Sequence, residues 1–370
     1  MIIEELFKNG CIKMGEFKLR NGEISKYYFD MKKIVSYPKL LSKIGDEMYK
    51  HIDNRCDLIC GVPIGGLPIA TYISTRYEIP MIVCRNEAKT YGTKNQIEGV
   101  YNKKNNCVII EDVITTGSSV EKTIENLKDH VNIIGVIVII DRQQGYISDY
   151  PVYPLFTKTE LAVYRLNEIS KRKNSRLCFS ADVQNSEKLF QILEEIGKHI
   201  CVCKIHYDIF NDNDETIKNG LIRASIKHDF LLMEDRKLVD ISYISEKQFS
   251  LFRNWVDMVT VMPTVNDDVI KRLSGVVIVA NMSNNSWDYS EVARNLAIKN
   301  KSNVVGFVTQ KRIHMDGMIC MTPGIGLETT KIADQRYRNP KAIDTDIIIV
   351  GRGIYNYDNY LEKARAYSLV

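Results

Sequence analysis

The chain has 370 residues, 45% of them hydrophobic and 26% charged, with a formal net charge of +4. That length allows two domains with sizeable cores, and the composition is that of a soluble globular protein. Acids and bases are interspersed, which argues against a nucleic-acid-binding stripe while remaining compatible with local basic sites for a phosphorylated ligand.

The opening MIIEELFKNG meets a charge too early for a secretory signal, and the longest apolar run, IIGVIVII at 133–140, is far short of a membrane span. Nine cysteines without regular metal spacing point to a reducing compartment and buried structural thiols. The expectation is a cytoplasmic protein with neither membrane nor nucleic acid as a partner.

In the first half, DLICG (57–61), PMIVC (80–84), CVIIE (107–111) and VIVII (136–140) read as strands alternating with helical patterns. Such alternation predicts a parallel sheet flanked by helices. The strand CVIIE runs into DVITTGSSVEKTIENL, so Glu111 and Asp112 are expected to close it and a small-residue loop to open a helix. Backbone N–H groups around Thr115, Thr116, Gly117, Ser118 and Ser119 would cradle a phosphate, helped by the helix dipole. The two carboxylates would accept hydrogen bonds from ribose hydroxyls just beyond it. A capped helix start explains a TTGSS loop by itself; the apolar strand and paired acids carry the stronger reading.

That stretch resembles the phosphoribosyl pyrophosphate signature of type I phosphoribosyltransferases. With FKLRNG (17–22), GVPIGGLPIA (61–70), EAKTYGTK (87–94) and DRQQG (141–145), it is similar to the orotate phosphoribosyltransferases over residues 1–160. The resemblance implies that Gly65 and Gly66 let the backbone approach a pyrophosphate, and that Arg85, Lys89 and Tyr91 lie on a mobile lid at 85–99. Lys89 would stabilise the departing pyrophosphate, Arg142 would pair with the orotate carboxylate, Thr115 would help hold the pyrimidine, and Arg20 would reach the substrate. Magnesium is implied as the cofactor of this step, without a certain protein ligand. One departure stands out: Asn86 occupies the place of a second basic residue.

Residues 155–175 contain neither Gly nor Pro and carry apolar residues at helical spacing, which predicts a bridging helix rather than a flexible linker. Eight candidate strands follow: LCFSA, ICVCKI, FLLME, DMVTV, VVIVA, VVGFV, MICMT and IIIVG. Most intervals hold an amphipathic segment such as SEKLFQILEEIG (186–197), and the repeat fits a small (β/α)8 barrel.

On the third of these strands, MEDRKLVDI (233–241) puts Asp235, Lys237 and Asp240 close together, with Asp235 and Lys237 on one face. A strand-end surface salt bridge is the plain alternative. The spacing matches the DxKxxD signature of the orotidine 5'-monophosphate decarboxylases, and LCFSADV (177–183), KIHYDIF (204–210), MTPGIGL (321–327) and IIIVGRGIY (347–355) fall in that family's order.

The resemblance over 161–370 implies that Lys237 delivers a proton to C6, Asp235 faces the substrate carboxylate, and Lys204 keeps the acids ionised. Asp240 would reach a neighbouring subunit's site, so a homodimer is implied. Ser180, Asp182 and Ser283 would hold pyrimidine and ribose, Lys204 would also bond the ribose, Gln335, Gly351 and Arg352 would take the phosphate, and Pro323 would be a further residue of the nucleotide site, with no cofactor. Ile244 stands where a threonine is usual, and the lid segment at 281–289 is shortened.

The two halves together resemble the bifunctional uridine monophosphate synthases, which join orotate to phosphoribosyl pyrophosphate and decarboxylate the resulting nucleotide. A nucleotide-sensing protein, or a chain with one active domain, are the other readings. Retention of Lys89 and Lys237 favours the enzyme.

Overall fold

The computed structural model describes residues 1–18, 22, 24–85, 96–146, 148–210, 215–284, 287–327, 331–332 and 335–368, with backbone only at 331, 332, 335 and 336. Two compact units divide the chain: residues 1–13 with 27–158, and residues 14–26 with 159–370.

The N-terminal part holds α1 (Ile2–Lys8) and the paired strands β1 (Ile12–Lys18) and β2 (Ile24–Phe29). There follow α2 (Pro38–Tyr49), β3 (Leu58–Gly61), α3 (Gly66–Tyr77), β4 (Met81–Cys84), β5 (Ile97–Glu98), β6 (Asn106–Ile114), α4 (Ser118–Leu127), β7 (Asn132–Asp141) and β8 (Val152–Thr157). The sheet order is β5-β4-β3-β6-β7-β8, parallel except at the β4–β5 edge. From β3 the chain winds to β4 on one side, and from β6 to β7 on the other. The loops after β3 and β6 therefore leave from a switch point, where open α/β sheets form their ligand crevice. Buried apolar residues including Cys60, Ile82, Ile109, Val120, Leu127 and Val136 make this core.

Two expectations are corrected here. Glu111 and Asp112 do not close their strand: β6 continues through them to Ile114, in register with β7. Residues 155–157 belong to β8 rather than to a helix, because their extended backbone completes the sheet edge beside β7.

The second unit opens with α5 (Lys158–Lys173), followed by β9 (Leu177–Ser180), α6 (Ser186–Ile196), β10 (Val202–Ile205), α7 (Glu215–His228), β11 (Leu231–Leu238), α8 (Ser242–Ser250) and β12 (Met258–Val261). Then come α9 (Asp267–Lys271), β13 (Val276–Val279), α10 (Ser290–Lys299), β14 (Val304–Val308), β15 (Ile319–Thr322), β16 (Lys331–Ile332), β17 (Gln335–Arg336), β18 (Ile347–Val350), α11 (Arg352–Tyr355) and α12 (Tyr360–Ser368). Strands β9 to β15 and β18 close into an all-parallel barrel in chain order, which is the (β/α)8 architecture that the eight apolar runs predicted.

Helix α6 shows the local logic. Asn185 accepts the Lys188 N–H as a cap, and Leu189, Ile192, Leu193 and Ile196 recur at helical spacing to cover the strands. Inside the barrel a second apolar cluster includes Cys178, Val202, Met233, Met258, Val277 and Met321, together with Leu166 and Ile169 of α5. Helix α5 thus supplies apolar side chains to the barrel interior, and Lys173 at its end donates to the carbonyls of Gly197, Ile200 and His228 at 2.7–2.8 Å. Segment 14–26 is also held within this unit: the fully buried Lys26 pairs with Asp257 and donates to Ser225. Among the described residues no helix is long and apolar enough to cross a membrane.

Candidate functional sites

In the first unit the loop between β3 and α3 lies against the acids of β6. A Cβ on Gly65 would sit 2.1 Å from a carboxylate oxygen of Asp112, so only glycine allows this approach. Asp112 is buried, accepts the Val113 N–H at 2.9 Å, and lies 3.9 Å from the Lys32 ammonium. Glu111 is more enclosed. Burial, followed by the neighbouring Asp112, pushes its carboxyl up to about 9.

Beyond the acids, Thr115, Thr116 and Gly117 form the turn into α4, whose first residues are Ser118 and Ser119. Gly117 has φ +77°, and a Cβ there would strike the Tyr146 ring at 2.0 Å. The turn and the helix start leave Thr116, Ser118 and Ser119 exposed, an arrangement suited to receiving an anion. Arg142, just after β7, has its guanidinium 5.1 Å from the centre of the Phe29 ring, and no carboxylate pairs with it among the described residues. Arg85, just after β4, is tied to Glu98 at 3.2 Å. Arg20, Asn86, Lys89 and Tyr91 lie outside the described residues.

In the second unit a cavity of about 200 Å³ opens at the C-terminal ends of the barrel strands, the face on which such barrels place their ligands. Its lining brings together Ser180, Asp182, Lys204, Asp235, Lys237, Ser283, Pro323, Gly351 and Arg352, each singled out from the sequence. Lys204 on β10 and Asp235 on β11 meet at 2.6 Å, and Lys237 reaches the same Asp235 oxygen at 2.9 Å. Asp182 stands 3.6 Å from Lys204 and accepts from Ser180 at 3.0 Å.

These ions hold one another charged. Burial alone would raise the Asp235 carboxyl, but Lys204, a hydrogen bond from His206, and Lys237 together hold it well below its usual range. Lys204 is opposed by burial in the same way, and Asp235 with Asp182 keeps it above the ordinary lysine range.

The DxK stretch lies inside β11 and not beyond its end. Lys237 also departs from the regular pleat, with φ +51°, yet its ammonium still meets Asp235. Asp240 is exposed; its carboxylate accepts the N–H of Ile241 and its carbonyl accepts the Ser245 hydroxyl. The Gln335 side chain lies outside the described residues.

Residues 175–367 match the Orotidine 5'-phosphate decarboxylase / HUMPS family, and residues 30–167 match the Phosphoribosyl transferase domain. Uridine 5'-monophosphate synthase of Bos taurus is 30% identical over 456 aligned positions, covering 99% of this chain and 95% of that protein. The chain belongs to the uridine 5'-monophosphate synthase family. Each half also has separate relatives. Orotate phosphoribosyltransferase of Methanocaldococcus jannaschii is 39% identical over 39% of this chain and 82% of its own length. Orotidine 5'-phosphate decarboxylase of Schizophyllum commune is 33% identical over 54% of this chain and 84% of its own length.

Seen as a uridine 5'-monophosphate synthase, the chain holds groups that motif matching passed over. His206 lies 3.3 Å from both the Lys204 ammonium and the Asp235 carboxylate. Its signal was available, since it follows Lys204 by two and strand alternation puts the pair on one face. Asn281 and Tyr337 line the cavity, the latter with its ring 6.0 Å from the Arg352 guanidinium. Phe29 beside Arg142 could have been sought in the aromatic run that ends β2, but only the fold pairs the two.

Proposed function

We propose that residues 1–160 transfer a phosphoribosyl group from phosphoribosyl pyrophosphate to orotate, and that residues 161–370 decarboxylate the orotidine 5'-monophosphate so formed. In the first step a ring nitrogen of orotate attacks the ribose anomeric carbon as its bond to pyrophosphate breaks. Thr115, Thr116, Gly117, Ser118 and Ser119 would receive the ribose 5-phosphate, Glu111 and Asp112 its hydroxyls, and Arg142 the orotate carboxylate. Arg20, Arg85, Lys89 and Tyr91 would complete the site, with Lys89 taking the charge of the departing pyrophosphate.

Magnesium fits the donors present. Glu111 and Asp112 offer adjacent oxygen ligands, and among the described residues no three His, Cys, Asp or Glu side chains gather into a metal cage. Held beside these carboxylates, the ion would supply charge neutralisation to the pyrophosphate leaving group.

In the second step the bond from C6 to the carboxylate breaks, carbon dioxide leaves, and the electron pair remaining at C6 takes a proton from Lys237. The observation that carries this reading is the Asp182, Lys204, Asp235 and Lys237 array on one cavity. Asp235, held ionised, would face the substrate carboxylate and disfavour it relative to the carbanion. Ser180, Asp182 and Ser283 would hold pyrimidine and ribose, Gln335, Gly351 and Arg352 would take the phosphate, and Pro323 would be a further residue of the nucleotide site. No cofactor enters this step.

A homodimer is part of the proposal. Asp240 does not line its own cavity, and Val239, Ile241, Tyr243 and Leu251 of the same stretch are 61–69% exposed, apolar side chains that a second copy would cover. All nine cysteines are free thiols, eight of them buried, which supports a cytoplasmic setting.

The test follows absorbance of orotate and formation of uridine monophosphate in one mixture with phosphoribosyl pyrophosphate and magnesium. Stoichiometric conversion is expected. Thermal stabilisation by these ligands with no turnover would overturn the reading in favour of a sensor.

A further inference from the structure

The register between β11 and β12 breaks where the ionisable residues sit. Glu234 pairs with Val259 and Leu238 with Val261, so three residues of β11 at 235–237 oppose a single residue of β12, Thr260. A bulge of this kind takes backbone groups out of the ladder and re-aims side chains. It also places Lys237 at φ +51°, a left-handed conformation that disfavours a residue with a side chain.

Thr260 is completely buried, and its hydroxyl meets both sides of the bulge. It accepts the Lys237 backbone N–H at 2.9 Å and donates to Asp235 Oδ1 at 2.8 Å. One hydroxyl has one proton and two acceptor sites, so both bonds form together. The other Asp235 oxygen is left to Lys204, Lys237 and His206. Thr260 does not line the cavity.

We propose that Thr260 is a positioning residue for decarboxylation: its hydroxyl stitches the bulge, fixing the Asp235 carboxylate and the Lys237 backbone in the geometry that the proton transfer uses. This rests on the functional reading above. A packing role would need only the β-branched shape, whereas this one needs the oxygen.

Thr260→Val keeps the shape and removes the hydroxyl. It is expected to lower kcat for carbon dioxide release by about ten- to a hundredfold, with KM for orotidine 5'-monophosphate changed by less than about threefold. The acid limb of the kcat profile should move to higher pH, because Asp235 loses a donor to its ionised form. Thr260→Ser should recover most of the rate and the original profile. A valine variant within about threefold of wild type at every pH, or a serine variant as impaired as the valine one, would overturn the proposal.

A second measurement reads the link without turnover. Thr260→Val should lower the thermal midpoint more in the wild-type background than in Asp235→Ala. Equal losses in both would refute the bond to Asp235; Thr260→Ala serves the same cycle if the valine chain does not fold. Should the wild-type chain release no carbon dioxide while the cycle shows coupling, the functional reading fails and the hydroxyl's structural bonds stand.

Discussion

The barrel site and the sheet site treat buried carboxylates in opposite ways. In the barrel, Asp235 shares one oxygen with Lys204, Lys237 and His206, and these hold its carboxyl well below the usual range in spite of burial. In the sheet, Glu111 accepts an N–H from Asp112 but faces that residue's carboxylate, and burial with this neighbour pushes it up to about 9. The barrel array is therefore charged and assembled before any ligand arrives. The sheet's acid instead holds its proton more tightly than usual, and a cation arriving with the substrate would favour its ionised form.

The largest test of that contrast removes the barrel's proton donor. Lys237→Ala should reduce carbon dioxide release by about 10²- to 10⁴-fold while pyrophosphate release from orotate and phosphoribosyl pyrophosphate continues, measured in two separate assays. Loss of both activities would refute independent sites.

Much of this contrast was legible in the sequence, and the limits have physical causes. The eight apolar runs define the barrel strands because a parallel sheet buried on both faces needs continuous hydrophobic segments, and all eight close in order. The cavity gathers Ser180, Lys204, Asp235, Lys237 and Arg352 because barrel strands end on one face, so motifs at successive strand ends converge. Strand length was less visible: β6 runs on through Glu111 and Asp112 because its neighbour β7 supplies ladder partners, information that local composition does not hold. Thr260 is the extreme case. Its importance comes from a register break with β11, and no spacing within β12 announces it.

Buried acids without a cationic partner give the next test. Burial raises Glu234, on β11 beside the array, to about 8 from an ordinary 4.5, although it accepts the Tyr207 N–H. A carboxyl raised on folding contributes fully below its unfolded value and loses that contribution as pH climbs toward the folded one. Stability of the barrel should therefore fall between pH 5 and about 8, by at most about 1.4 kcal/mol per pH unit from this group. Urea unfolding across that window should show a shallower fall in Glu234→Gln; an unchanged slope would mean that the acid is compensated.

A smaller effect is expected at the sheet site. Arg142 is partly buried without a carboxylate partner among the described residues, as a side chain awaiting an anionic ligand would be. Arg142→Ala should raise KM for orotate by about ten- to a hundredfold, corresponding to about 1.5–3 kcal/mol for a charge-assisted hydrogen bond, and should leave decarboxylation of supplied orotidine 5'-monophosphate unchanged. A normal KM would remove it from the orotate site.

The smallest effect tests whether the barrel array is complete within one chain. Ile244 is half-buried in α8, beside exposed Ile241 and Tyr243, and it follows the exposed Asp240, which does not line its own cavity. In the proposed dimer that edge faces the partner's nucleotide, where isoleucine offers no hydrogen bond. Ile244→Thr should then lower KM for orotidine 5'-monophosphate by a factor equivalent to roughly 0.5–1.5 kcal/mol, with kcat little changed. The gain should vanish on dilution below the dimer's dissociation constant, because the hydroxyl serves a site in the other subunit. A rise in KM at all protein concentrations would instead show that Ile244 packs to advantage within its own barrel, and the array would then owe nothing to that edge.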